Sequence, residues 1–114
     1  MNLETTIMQR IRLRLSGIPG LSIFRNNVGK IEGRDGRWHV FGLCPGSSDL
    51  IGWKRIKITR EMVGSTVAVF VAVEIKSPGG HRRPEQENFI RAVRVSGGIA
   101  GFAESEIEAV RLIP

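Results

Sequence analysis

Cysteine is nearly absent. Cys44 is the only one among 114 residues, which excludes an internal disulfide framework and a cysteine-based zinc cage and suits a reducing cytoplasm. Long apolar runs are also missing, and none approaches the roughly 20 residues that span a bilayer. Glu4, followed by Arg10, Arg12 and Arg14 inside the first periodic segment, does not fit a signal peptide. No internal repeat, low-complexity linker or break in composition divides the chain, so a single domain over residues 1–114 is predicted. Ser47 and Ser48 lack a Gly-x-Ser-x-Gly setting, and Gly79-Gly80 lacks the Lys-Ser/Thr of a phosphate-binding loop. Serine hydrolase and nucleotide triphosphatase chemistry are therefore not supported.

Acidic residues are scarce, and their distribution is uneven. The chain carries 17 Lys+Arg against 11 Asp+Glu, a net charge of +6 with a pI near 10.7. Glu104, Glu106 and Glu108 lie in the last eleven residues beside Arg111, leaving 16 basic and 8 acidic groups in residues 1–94. Such an excess concentrates polyanions and favours phosphate contacts. A soluble domain that is merely basic would carry the same charge, so the positions of the few acids have to decide. With 41% hydrophobic and 25% charged residues, the composition is that of an ordinary globular domain.

Periodicity outlines the elements. Leu3, Ile7, Ile11 and Leu15, widened by Met8, predict an amphipathic helix over residues 2–16 that Gly17, Pro19 and Gly20 end. Leu21–Phe24 is a short strand candidate. Asp35-Gly36 before Trp38, Val40 and Phe41 is a hairpin signal. Asp49-Leu-Ile-Gly-Trp53 leads into Lys54–Ile58, where Ile56 and Ile58 alternate with Arg55 and Lys57 as in a strand with one basic face. Thr66–Lys76 is valine-rich and almost continuously apolar before Glu74, the pattern of a central strand covered on both faces. Pro84 opens a helix ending near Gly97-Gly98. Ile99–Ala103 forms a further strand, and Ser105 with Glu108 caps a short last helix. This order predicts an α/β sandwich.

Two acids stand where apolar residues are expected. Glu74 and Lys76 end the most apolar strand and, with a period of two, share one side of the sheet while Ile75 faces away. A strand-end ion pair is the plain explanation; a functional one is a carboxylate held for a cation, because a buried unpaired charge is costly. Asp49 opens an apolar segment after a Gly-Ser-Ser loop, where a turn or cap is the usual fate of an aspartate. If the two strands are neighbours, both carboxylates can meet at one sheet end, where a hard cation such as Mg²⁺ would hold them together.

Asp49, then Glu74-Ile75-Lys76 after a hydrophobic strand, then Gln86 in the next helix resembles the PD-(D/E)XK nuclease signature. Gly46-Ser-Ser-Asp-Leu-Ile-Gly52, Val71-Ala-Val-Glu-Ile-Lys-Ser77 and Gln86-Glu-Asn-Phe89 are more closely similar to the VRR-NUC family. That family comprises small virus-type replication and repair nucleases and the nuclease domain of the Fanconi-associated nuclease. The resemblance covers residues 22–103; Ser48 replaces the proline of the "PD" name. It implies a restriction-endonuclease-like fold with a central mixed sheet flanked by helices. It also implies that Asp49 and Glu74 bind Mg²⁺ or Mn²⁺ with the Ile75 carbonyl, and that Lys76 holds or activates the attacking water. An acid on the first helix, here Glu4, often joins the metal site, although a glutamate in a first helical turn also simply favours the helix dipole.

Gln86 shares a helix face with Phe89, Ile90 and Val93. It would position Lys76 or the water, or bond a local backbone group. Arg25 and Asn26 form a family-associated pair able to approach the scissile strand. Arg82 and Arg83 precede a helix N-terminus, a natural phosphate site; for each, a solvated surface charge is the alternative. The expected function is metal-dependent cleavage of DNA in a bacterial or phage-infected cytoplasm. Four-way junctions are the preferred substrate, cut by a homodimer whose two-fold axis matches theirs. Flap or single-strand cleavage, and a non-catalytic basic binding module, are the competing readings.

Overall fold

The structure, a computed structural model, describes residues 2–114. The fold is mixed α/β, with three helices and both antiparallel and parallel strand pairs. It divides into two compact units, Met1–Ile56 and Lys57–Pro114. No helix among the described residues is long and apolar enough to cross a membrane.

The first unit begins with α1 (Leu3–Ser16). Asn2 caps it, its Oδ1 accepting the Thr5 N–H at 2.7 Å, and Glu4 stands in the first turn. The helix packs on β1 (Leu21–Arg25). β1 pairs antiparallel with β4 (Leu50–Lys54), Ile23 opposite Gly52 and Arg25 opposite Leu50. The two backbones approach so closely that a Cβ on Gly52 would run into the Ser22 carbonyl oxygen, which explains the glycine inside Leu-Ile-Gly-Trp. Between them β2 (Gly29–Glu32) and β3 (Trp38–Phe41) form the hairpin that Asp35-Gly36 predicted. Its turn closes with Gly33 N–H on the Arg37 carbonyl at 2.8 Å. Gly36 has φ +77°, the left-handed conformation that glycine permits.

The second unit holds a short 3₁₀ turn (Arg60–Met62), β5 (Val71–Ile75), α2 (Pro84–Val95), β6 (Ile99–Ala103) and α3 (Glu106–Leu112). β5 and β6 run parallel with α2 as the crossover, and Glu74 lies opposite Phe102. Ile90 and Val93 of α2 are buried with Ala100 and Ala103 of β6. Small residues on β6 let the helices close in: a Cβ on Gly101 would sit 2.6 Å from Leu112 of α3.

Two expected strands are shorter than their patterns. β4 stops at Lys54, so Lys54–Ile58 is not a strand despite its alternation. Its partner β1 begins at Leu21, after the Ser16–Gly20 bend, and the last rung is Arg55 N–H on the Gly20 carbonyl at 2.7 Å. Likewise only Val71–Ile75 of the valine-rich run enters a ladder, because β6 offers five residues. Val67 and Val69 are exposed, as are Val71 and Ile75, so β5 is not covered on both faces. The ladders are two-stranded, two antiparallel in the first unit and one parallel in the second, rather than one continuous sheet.

Candidate active site

In the second unit the residues singled out in sequence gather at the C-terminal end of β5. Strand alternation puts Glu74 and Lys76 on one face. The Lys76 Nζ is 4.0 Å from Glu74 Oε1, with the lysine side chain 16% exposed and the glutamate 36%. The two form a loose strand-end ion pair, at a separation too long for a hydrogen bond. The close partner of Glu74 is Gln86, whose Nε2 donates to the same Oε1 at 2.6 Å.

The Gln86 amide is held at both ends. Its Oε1 accepts the Arg83 N–H at 3.1 Å, one of the backbone donors that a helix start leaves unpaired. Gln86 thus pairs with Glu74, a partner the sequence did not point to, and also bonds the local backbone, as the plainer of the two sequence readings had it. Glu74 Oε2 has no partner among the described residues.

The Ile75 carbonyl is placed by the ladder. Lys76 N–H bonds the Ala103 carbonyl and the Phe70 carbonyl accepts from Ile99, at 3.0 and 2.9 Å. Alternation then directs the backbone groups of residues 70, 72, 74 and 76 toward β6 and those of 71, 73 and 75 to the other edge of β5. The Ile75 oxygen is thus an acceptor that β6 does not use.

In the first unit Asp49 immediately precedes β4. Its carbonyl accepts the Asn26 N–H at 2.8 Å, extending the β1–β4 pairing by one rung. Its carboxylate accepts no hydrogen bond and joins no ion pair among the described residues, so the turn or cap that an aspartate commonly makes is not what this one does. Glu4 and Asp49 line the same two small hollows, of about 230 and 270 Å³; Arg25 and Asn26 share the larger. Glu4 stands in the first turn of α1, as the dipole explanation requires, and its carboxylate too has no partner among the described residues.

Asn26 is the buried polar residue of this unit, 8% exposed. Its Nδ2 donates to Ser47 Oγ at 2.7 Å and to the Ser48 carbonyl at 2.9 Å, while its Oδ1 accepts the Leu43 N–H at 2.9 Å. Ser47 Oγ in turn donates to the Cys44 carbonyl at 2.7 Å. Expected to approach the scissile strand, the Asn26 amide is instead spent inside the chain, clamping the loop that presents Asp49. Sequence reading missed this pairing and the part played by Ser47. The local signal was Pro45-Gly46, a turn whose glycine has φ +83° and which Ser47 N–H closes on the Cys44 carbonyl at 3.0 Å. Asn26→Ala is expected to lower stability by about 1–3 kcal/mol, since it strands the Leu43 N–H and the Ser48 carbonyl. Asn26→Asp keeps the acceptor for Leu43 N–H but sets a buried carboxylate against the Ser48 carbonyl, so its urea midpoint should fall at least as far as that of Asn26→Ala.

Arg25 is exposed at the end of β1. Arg82 lies over the Phe102 ring, 4.2 Å from its centroid, and Phe102 is the ladder neighbour of Glu74. Arg83 is largely exposed, 3.9 Å from Glu85. In each unit by itself the unused acceptors are oxygens, those of Glu74 and the Ile75 carbonyl in the second and those of Asp49 and Glu4 in the first, the atom type a hard divalent cation takes. In neither unit do three or more of His, Cys, Asp and Glu gather among the described residues.

The family model of the VRR-NUC domain matches residues 31–106, about two-thirds of the chain. The matched stretch contains Asp49, Glu74, Ile75, Lys76, Arg82, Arg83 and Gln86 and leaves Glu4, Arg25 and Asn26 outside. No curated protein and no solved structure gave a match. By this match, and by the motifs it contains, the chain belongs to the VRR-NUC family and is a nuclease of the PD-(D/E)XK type.

Proposed function

We propose that this nuclease is a Mg²⁺- or Mn²⁺-dependent DNA endonuclease whose single functional domain spans residues 1–114. The observation that supports this best is the trio at the end of β5: a half-buried lysine in a loose 4.0 Å ion pair with a carboxylate that a glutamine fixes at 2.6 Å. The candidate cation ligands are Glu74 and the Ile75 carbonyl in the second unit, and Asp49 and Glu4 in the first. When bound, the cation polarises the scissile phosphate and lowers the pKa of a water.

The remaining roles fall to side chains. Lys76 holds the attacking water by hydrogen bonding and offsets charge that develops on the phosphate oxygens. Gln86 keeps the Glu74 carboxylate from rotating, which would present it to a cation in one orientation. Arg25, Arg82 and Arg83 contact backbone phosphates, to which guanidinium groups bind in bidentate fashion. Asn26 serves the same strand indirectly, through the Asp49 loop.

The substrate reading is a four-way junction cut by a homodimer. Resolution takes two incisions related by a two-fold axis, which a symmetric pair of active sites supplies. The free, exposed Cys44 is compatible with a reducing cytoplasm. The test is a panel of end-labelled four-way junctions, flaps, duplexes and single strands with Mg²⁺, run beside Glu74→Ala and an EDTA control. Paired nicks in the junction, lost in both controls, are expected. Cutting of flaps or single strands alone would move the substrate, and no Mg²⁺-dependent cleavage of any DNA would leave a binding module. Light scattering at the working concentration should give the mass of two chains.

A further inference from the structure

Helix α2 is flanked by two hollows that share Ile90. The one on the β5 side is lined by Glu74, Glu85 and Gln86 and belongs to the site described above. The other, about 400 Å³, lies between α2, β6 and α3 and is walled by Arg82, Arg91 and Arg94 with the Phe102 ring. Of its lining, the proposed chemistry uses Arg82 alone.

The three guanidinium groups are held in place without being neutralised. Arg82 is stacked on Phe102 at 4.2 Å. Arg94 donates its Nε to the Ala100 carbonyl at 2.7 Å, lying so close to β6 that its Nη2 is 3.3 Å from where a Cβ on Gly101 would be. Both of its terminal nitrogens remain for another acceptor. Arg91 has one contact, Nη1 to Asn88 Oδ1 at 3.2 Å. None of the three forms an ion pair among the described residues, although Glu87 also lines the hollow. Three cations against one acid leave a net positive hollow, and Arg82 and Arg94, already aimed by Phe102 and the Ala100 carbonyl, lose little freedom on binding an anion.

We infer that this hollow binds a backbone phosphate of the DNA strand, next to the phosphate that is cut. The ladder supplies the continuity. Phe102, under Arg82, is the direct neighbour of Glu74, and adjacent strands lie about 4.8 Å apart. A DNA strand held at Glu74 and Lys76 that passes the start of α2, where Arg82 and Arg83 stand, reaches Arg91 and Arg94 next. The inference rests on the DNA-cleaving reading and adds Arg91 and Arg94 to it, with Phe102 as the platform that aims Arg82.

The test measures affinity for a labelled DNA duplex in EDTA, by fluorescence anisotropy over a range of salt. Arg82→Ala/Arg91→Ala should bind roughly tenfold more weakly or worse. Its log K against log[salt] slope should become shallower by about one, the signature of one lost phosphate contact. Arg91→Glu alone, at a residue bonded only to exposed Asn88, should weaken binding in the same way. Arg60→Ala in the 3₁₀ turn is the control and should leave the slope alone. A wild-type slope in the double variant overturns the inference. So does loss of inorganic phosphate binding by calorimetry with DNA binding untouched, which would assign the hollow to free phosphate. Because no cleavage is required, failure of the nuclease reading shows separately, as wild-type protein that does not cut with Mg²⁺ while the slope still changes.

Discussion

Lys76→Ala is expected to bind DNA as the wild type does and to hydrolyse it about 10²–10⁴-fold more slowly, the range typical of a group that moves or holds a proton in the transition state. Binding should survive because Lys76 is one cation among 17 Lys+Arg and only 16% of its side chain is exposed. Hydrolysis should not, because its ammonium stands on the same strand face as Glu74 yet 4.0 Å from the carboxylate. The loose ion pair leaves the ammonium's hydrogens free of the carboxylate and able to meet a water or a phosphate oxygen. Lys76→Arg should fail to restore the rate, since a planar fork on a longer stem cannot occupy the place of a compact ammonium. Single-turnover cleavage with protein in excess, beside anisotropy in EDTA, separates the two effects. Purified Lys76→Ala protein that cuts at the wild-type rate would remove Lys76 from the mechanism.

What could be read in the chain was mostly local. The hairpin turn at Asp35-Gly36, the start of α2 at Pro84 and the cap of α3 are set by residues within a few positions of one another. Ser105 Oγ indeed accepts the Glu108 N–H, at 3.2 Å. The helix face carrying Gln86, Ile90 and Val93 was legible from its spacing of four and three, and burial of Ile90 and Val93 follows it.

Strand ends were not legible. Alternation in Lys54–Ile58 and the valines of 66–70 satisfy a strand pattern, but a ladder extends only as far as its partner, and the partner lies elsewhere in the chain. The same reason hid Asn26. Its acceptor role depends on Leu43, 17 residues away, and its donors on Ser47 and Ser48, so nothing adjacent to it announces a buried clamp. For Gln86 the face was readable and the partner was not: reaching Glu74 requires α2 to pack on β5 with its first turn at the strand's end.

That last contact carries the second large effect. Glu74→Ala should abolish Mg²⁺-dependent cleavage to at least about 10²-fold below wild type, beyond the 10–100-fold that outer partners of metal ligands are worth. Gln86→Ala should fall inside that 10–100-fold range, because it releases Glu74 Oε1 without removing the carboxylate. If Gln86 acts only through Glu74, the two losses cannot add: Gln86→Ala made in the Glu74→Ala background should change the residual rate by less than about twofold. Calorimetric titration with Mn²⁺ in the absence of DNA provides the readout that a merely structural glutamine would not move. Affinity should drop in Gln86→Ala, and its thermal midpoint reports separately the loss of the acceptor for Arg83 N–H. Additive rate losses, or unchanged Mn²⁺ affinity, would show that Gln86 serves the helix start alone. Glu74 would then have to hold its cation without a fixed neighbour.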